Sequence, residues 1–516
     1  MKKLLAVLLA FGILLSAGSA FAAPQGGEIT IGMGSDATSL DPRFVTTTSG
    51  MYITSQIFNG LVELNKDLEY EPVLAEEVET PTDTRYVFHL KEGVKFHDGS
   101  ELTAEDVKFT YQSMLDPDVG SPKSGNYTQI VGAEEFLEGE ADEVEGIEIV
   151  DEYTVAFELK EPFAPFLVNM NVGIVPKDLA EGNEDFEEDP VGTGPFVFES
   201  RETDQKTVIK ANDDYFEGRP NLDKVTYRVI PENSARLVEL EKGEIDVLMS
   251  VEKSDRDLIR KNPDLNLASI AGTNYNYVGF NVNNEPVDDK YLRKAIAYAL
   301  DKDAITNHFN GSRTFMPLPA SSPLGDEIID MADINKYEHS VSKAKEMLQK
   351  SDYDGEEVVI KVSDGWRKEL AQIMQQMMNS VGINTKVEVY EWGTFYEDVK
   401  EGEAQIYLLG WYGIIDPDGY WFFHSEMTPP EGGSNRMFYS NEEADELIEE
   451  GRATINEEER KEVYADLFEI ITDDAPMIFL FSEMDESAYW DNIKGFEAAP
   501  YPVTILDKLP EVYIED

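Results

Sequence analysis

The chain has 516 residues, 41% of them hydrophobic and 11% aromatic, enough apolar material for a large core and too much for a disordered chain. Its 43 Lys and Arg stand against 103 Asp and Glu, a net charge of −60, which argues against nucleic acid or an anionic membrane as partner. There is no cysteine, so neither a disulfide nor a thioether-linked lipid anchor can form.

Residues 1–22 start with Lys2 and Lys3, run apolar through 4–15 and end Ala20-Phe21-Ala22. The run is too short to span a bilayer and its end suits signal peptidase, so a secretory signal cleaved after Ala22 is expected. Leu15-Ser16-Ala17-Gly18 has the shape of a lipoprotein box, with Gly18 where the lipidated Cys would stand. The mature chain is expected to be free in the periplasm. Loss of Lys2 and Lys3 makes it more acidic still. Such self-repulsion is relieved when the Debye length falls to about 3 Å at 1 M salt, so a high-salt habitat is expected.

About 100–200 residues per domain gives three units for this length. Ile29 and Ile31 alternate with polar neighbours as a strand, and Thr46-Thr47-Thr48-Ser49 opens a helix over 51–60; the Thr47 hydroxyl is a candidate to line a cleft or to cap that helix. Residues 70–190 read as a self-contained α+β unit: a hairpin-like pair at 86–90 and 94–99, a helix from Thr103 with Glu105 and Asp106 in its first turn, and strands at 144–150 and 154–159. Gly192-Thr193-Gly194 lacks the later Gly and the Lys-Ser/Thr of a phosphate loop. Strands follow at 196–199, 206–211 and 225–230. A helix from Ser234 leads to a strand at 245–249, a parallel crossover. Asp288-Asp289 caps a helix, 368–380 is a helix ended by Gly382, 386–390 is a strand, 441–450 and 457–471 are helices, and 477–481 is a buried strand.

The stretch 410–426, GWYGIIDPDGYWFFHSE, gathers Trp411, Tyr412, Tyr420, Trp421, Phe422 and Phe423 around an Asp-Pro-Asp turn directly after an apolar strand. A rigid strand delivering aromatics and carboxylates to a loop is how a scaffold presents a recognition surface. Trp411 and Tyr412 are the candidates for contact, and 421–423 for packing beneath. The five histidines are scattered and no Cys partners them, so no metal site is expected; there is also no Gly-x-Ser-x-Gly elbow. Asp416 and Asp418 leave one enzymatic alternative, an exported glycoside hydrolase acting through paired carboxylates in an aromatic cleft.

Ser39-Leu40-Asp41-Pro42, residues 90–99 (LKEGVKFHDG) with 102–107 (LTAEDV), residues 192–196 (GTGPF), 212–216 (NDDYF), Ala235-Arg236 through 243–246 (GEID), Gly279-Phe280-Asn281 with 292–296 (LRKAI), and Asp416-Pro417-Asp418 occur in one order over most of the chain. In them the sequence resembles the peptide/nickel group of extracytoplasmic solute-binding proteins, the ligand-capturing components of ABC importers. The resemblance implies an α/β fold, a two-lobed periplasmic-binding-protein clam (type II-like) with an extra inserted α+β domain. Domain I would comprise 23–69, 191–271 and 487–516, domain II 70–190, and domain III 272–486, with crossings near 270–275 and 482–488 as the hinge. It further implies a monomer without cofactor that binds a small solute, a di- or oligopeptide by the family's habit, and delivers it to permease subunits in the inner membrane. Family peptide binders hold the ligand ammonium with an Asp soon after the Trp; here that place is Ile414, and Asp416 either substitutes or shapes the turn. The departure keeps oligosaccharides, stacked on Trp411, Tyr412, Trp366 or Trp392, and small charged compounds open as ligands. Arg436 is a candidate for a ligand carboxylate, or for a salt bridge to a nearby acid. Tyr275, Asn276 and Tyr277, where hinge meets cleft, complete the candidate set, although alternate residues of a strand must face away.

Overall fold

The computed structural model describes residues 24–66, 68–501, 504–506 and 508–515. The expected signal sequence lies outside them. Among the described residues no helix is long and apolar enough to cross a membrane.

Three sheets organise the chain. A seven-stranded sheet places, in spatial order, Leu265–Ala271, Met484–Trp490, Val247–Met249, Glu28–Met33, Lys224–Val229, Lys206–Ala211 and Phe196–Glu202. Glu28–Met33 runs parallel to both Lys224–Val229 and Val247–Met249. The helix Asn233–Lys242, stopped by Gly243 in the left-handed region at φ 72°, is thus the crossover of a parallel unit with the N-terminal strand between its two strands. The helix Thr48–Ile57 contributes Tyr52, Ile53 and Ile57 to the core against this sheet.

A four-stranded antiparallel sheet, Ala75–Thr82, Arg85–Leu90, Thr154–Glu158 and Ile147–Asp151, encloses a core with the helix Ala104–Leu115. Thr103 and Asp106 form a capping box at the start of that helix. The hairpin expectation needs correcting here. Arg85–Leu90 pairs with Ala75–Thr82 and Thr154–Glu158, not with 94–99. Gly93 and Gly99 both have positive φ and bend that segment back on itself, so only Lys95 bridges to Glu101, while Val94 and Phe96 still enter the core.

A six-stranded sheet orders Ser312–Arg313, Met477–Ser482, Tyr275–Phe280, Ile406–Trp411, Val358–Ser363 and Thr385–Tyr390. Its last three strands are parallel, joined by the amphipathic helices Trp366–Val381 and Trp392–Lys400. The helix Lys290–Ala299 is capped by Asp289, which accepts from the backbone amides of Tyr291 and Leu292, and buries Leu292, Ala295 and Ile296 in the same core.

Most ion pairs between these elements are solvated, as in Lys160–Glu134 and Lys108–Glu143, and exposed pairs contribute about 0–1 kcal/mol each. They do little against a net charge of −60. The melting temperature should therefore rise along a sodium chloride series into the molar range; a flat or falling series would remove the case for a high-salt habitat.

Candidate functional site

Two sheets meet where a pair of antiparallel strands passes from one into the other. Leu265–Ala271 pairs with Met484–Trp490 in the seven-stranded sheet, and three residues further on Tyr275–Phe280 pairs with Met477–Ser482 in the six-stranded sheet. The crossing is tied by Gly272 N donating to Glu483 O (3.0 Å), Glu483 N to Asn274 Oδ1 (2.6 Å) and Ile414 N to Thr273 O (2.8 Å). Glu483 also turns its carboxylate to Asn276 Nδ2 (3.0 Å) and to the Tyr412 hydroxyl (3.2 Å).

Beside this crossing lies the edge formed by the carboxyl ends of the three parallel strands, the end at which open α/β sheets present their ligand sites. Each strand ends near a tryptophan: Trp411 closes Ile406–Trp411, Trp366 opens the helix after Val358–Ser363, and Trp392 opens the helix after Thr385–Tyr390. Two arginines are interleaved with these rings. The Arg436 guanidinium lies 4.3 Å from the Trp411 ring centre and 5.3 Å from that of Tyr396, and Nη2 donates to the Tyr396 hydroxyl at 2.8 Å. Tyr396 stacks on Trp392 at 5.5 Å and 13°. Arg367 then lies 5.0 Å from Trp392 and 4.6 Å from Trp366. Phe422, 4.4 Å from Trp411, ends the row on the loop side. Stacking of this kind contributes about 0.5–2 kcal/mol per pair, the upper end when water is excluded.

Neither arginine has an acidic partner among the described residues, and the Arg367 Nε is buried without an acceptor. Burial draws the Arg367 guanidinium below its ordinary value, against the opposing influence of Tyr412, Glu483 and Tyr277. Tyr412 is 60% exposed over this space and Trp392 46%. The arrangement is a wall of aromatic faces holding two unneutralised guanidinium groups, chemically suited to a carboxylate-bearing solute with planar or apolar groups.

Several expected contacts are corrected. Tyr275 and Tyr277 are 0% and 1% exposed; their rings pack on Phe479 and Tyr407 beneath the wall, because the core face of a central strand takes alternate residues. Asn276 points the other way but is also buried, committed to Glu483. Asp416 meets Arg460 through two bonds of 2.7 and 2.8 Å and accepts from the Asp418 amide at 2.8 Å, so it holds the turn and is not free for a ligand. Asp418 pairs with Arg452 at 3.2 Å, and burial pushes its carboxyl up to about 6. Thr47 caps its helix by accepting from Gly50 N at 3.4 Å. Ile414 is buried and Ile415 packs with Leu64 and Leu68 from beyond the six-stranded sheet. Sequence reasoning did not single out Arg367 or Glu483. The adjacency of Arg367 to Trp366 in so acidic a chain was the available signal.

The profile of bacterial extracellular solute-binding proteins, family 5 Middle, matches residues 69–434. The chain belongs to that family. It is 29% identical over 507 residues to the oligopeptide-binding protein AppA of Bacillus subtilis (92% of this chain, 90% of that one). It is 31% identical over 479 residues to heme-binding protein A of Haemophilus influenzae (87% and 85%). The structure of AppA in complex with a nonapeptide superposes with a TM-score of 0.74 at 28% identity, covering 96% of this chain and 100% of that one. The substrate-binding protein CtaP of Listeria monocytogenes gives 0.85 at 26% identity, covering 95% and 100%. The α/β architecture is accordingly the bilobed type II periplasmic-binding-protein fold. This family 5 protein is a periplasmic solute-binding component of an ABC importer and not an enzyme, and the hydrolase reading also loses its carboxylates to Arg460 and Arg452.

Proposed function

We propose that the protein captures peptides, from dipeptides to oligopeptides, between two lobes and delivers them as a monomer to the permease subunits of an inner-membrane ABC importer. The lobes would be domains I and II (23–69, 191–271 and 487–516, with 70–190 inserted) against domain III (272–486), hinged at the strand crossing. The observation that carries the reading is the pair of arginines without acidic partners among the described residues, stacked in the wall of Trp411, Trp392 and Trp366 beside that crossing. A peptide supplies a carboxylate for the guanidinium groups and side chains for the rings. It would favour the closed form because only that form touches it from both sides.

Native mass spectrometry of protein purified without refolding tests this directly: a co-purifying peptide is expected. Trp411→Ala removes the ring that Arg436 rests on and should weaken that peptide about tenfold to a hundredfold, read by calorimetry. Unchanged affinity would place the site elsewhere. The exposure of Trp392 favours a second reading, an oligosaccharide or other planar solute, which the same mass measurement would reveal.

A further inference from the structure

Four carboxylates near the strand crossing and the aromatic loop have identifiable partners. Asp416 is paired with Arg460 and Asp418 with Arg452; Glu483 accepts from Asn276 and Tyr412; Glu486 accepts from Ser269 at 2.9 Å and pairs with Arg256. Asp485 differs. It is half-buried, lies opposite Ile270 one residue pair from the end of the paired strands, and makes no hydrogen bond or ion pair among the described residues. Strand alternation turns it away from Glu486 and towards Tyr52 of the helix Thr48–Ile57, whose hydroxyl it influences. Gly272 leaves room for the carboxylate, since a Cβ there would collide with it. Tyr412, on the opposite lobe, lies within electrostatic reach of both Asp485 and Arg367.

We infer that Asp485 takes the positively charged end of the solute, so that the cleft is built for a zwitterion held across Tyr412 with its anionic end at Arg367. This rests on the peptide reading above and specifies its amine partner. The loop leaves that role open, because Ile414 is apolar and its two aspartates are neutralised within the lobe. An unpartnered carboxylate held among other acids is poorly satisfied until a cation arrives, which makes the empty cleft selective for one. Burial and the neighbouring Glu483 and Glu486 push the Asp485 carboxyl up to about 7. The titratable groups that influence it or are influenced by it are Glu483 on its own face, Glu486 on the other face of the strand, and Tyr52 and Tyr412, with Arg367 beyond Tyr412. Cation binding therefore requires loss of its proton and should strengthen as pH rises through neutrality.

The test is competitive capture from a pool of random tri- to pentapeptides, half of it N-acetylated, with retained members identified by mass spectrometry. The wild-type protein should enrich free-amine peptides about tenfold or more, and less so below neutral pH. Asp485→Asn should retain both halves equally while holding the acetylated half as well as wild type does, which also shows that the variant is folded. Equal retention by wild type, or an amine preference that survives in Asp485→Asn, would overturn the inference and leave the peptide reading standing. Retention of neither half by wild type would remove the peptide reading and this inference together.

Discussion

Arg460→Met is expected to destabilise the protein by about 3–5 kcal/mol, the cost of leaving a buried carboxylate without its cation. Asp416 and Arg460 have side chains 17% and 8% exposed and meet through two parallel bonds, so Asp416 can regain little hydration when Arg460 is gone. The damage should spread, because the same carboxylate fixes the Asp418 amide, and Asp418 and Arg452 continue the network to the Tyr420 ring, 4.0 Å from the Arg452 guanidinium. Urea unfolding measures the loss. The double variant Asp416→Asn/Arg460→Met should recover much of it, since no buried charge is then stranded. A loss below about 1 kcal/mol in the single variant would mean that the pair behaves as a surface bridge.

Arg367→Ala should leave the fold nearly intact yet weaken a carboxylate-bearing peptide by about 2–5 kcal/mol, thirtyfold to a few thousandfold. The asymmetry follows from its surroundings. Arg367 has no acidic partner among the described residues, so its removal strands no internal charge and forfeits only the stacking on Trp366 and Trp392. Arg367→Lys keeps the charge and loses both the planar stack and the two-pronged donor, and should fall between wild type and Arg367→Ala. A peptide with an amidated C-terminus provides the control: wild type and Arg367→Ala should bind it alike. If Arg367→Ala bound the free-acid peptide as tightly as wild type, Arg367 would be excluded as the anion partner.

Much of this architecture was legible before any coordinates. The apolar periodicity of 368–380, its Gly382 stop and the Asp288-Asp289 cap are local features whose physics needs no tertiary partner. The three tryptophans were visible too, but only strand order brings them to one edge. Residues 94–99 misled because apolar alternation reports burial, and Val94 and Phe96 are indeed buried, whereas pairing was decided by the glycines at 93 and 99. The charged residues of the proposed site were the least legible. Among 103 acids a single carboxylate carries no signal, and what separates Asp485 from Asp416 is the absence of a cation paired with it among the described residues, a property of the folded surface alone.

The strand crossing carries a mechanical consequence. Two antiparallel strands running side by side from one sheet into the other resist shear along their length and separation from each other, because either motion would break the bonds at Gly272, Asn274 and Glu483 together. The compliant motion left is a bend about an axis across the ribbon. The two bodies should therefore swing through a single angle, and a docked membrane partner would read occupancy of the cleft as one number.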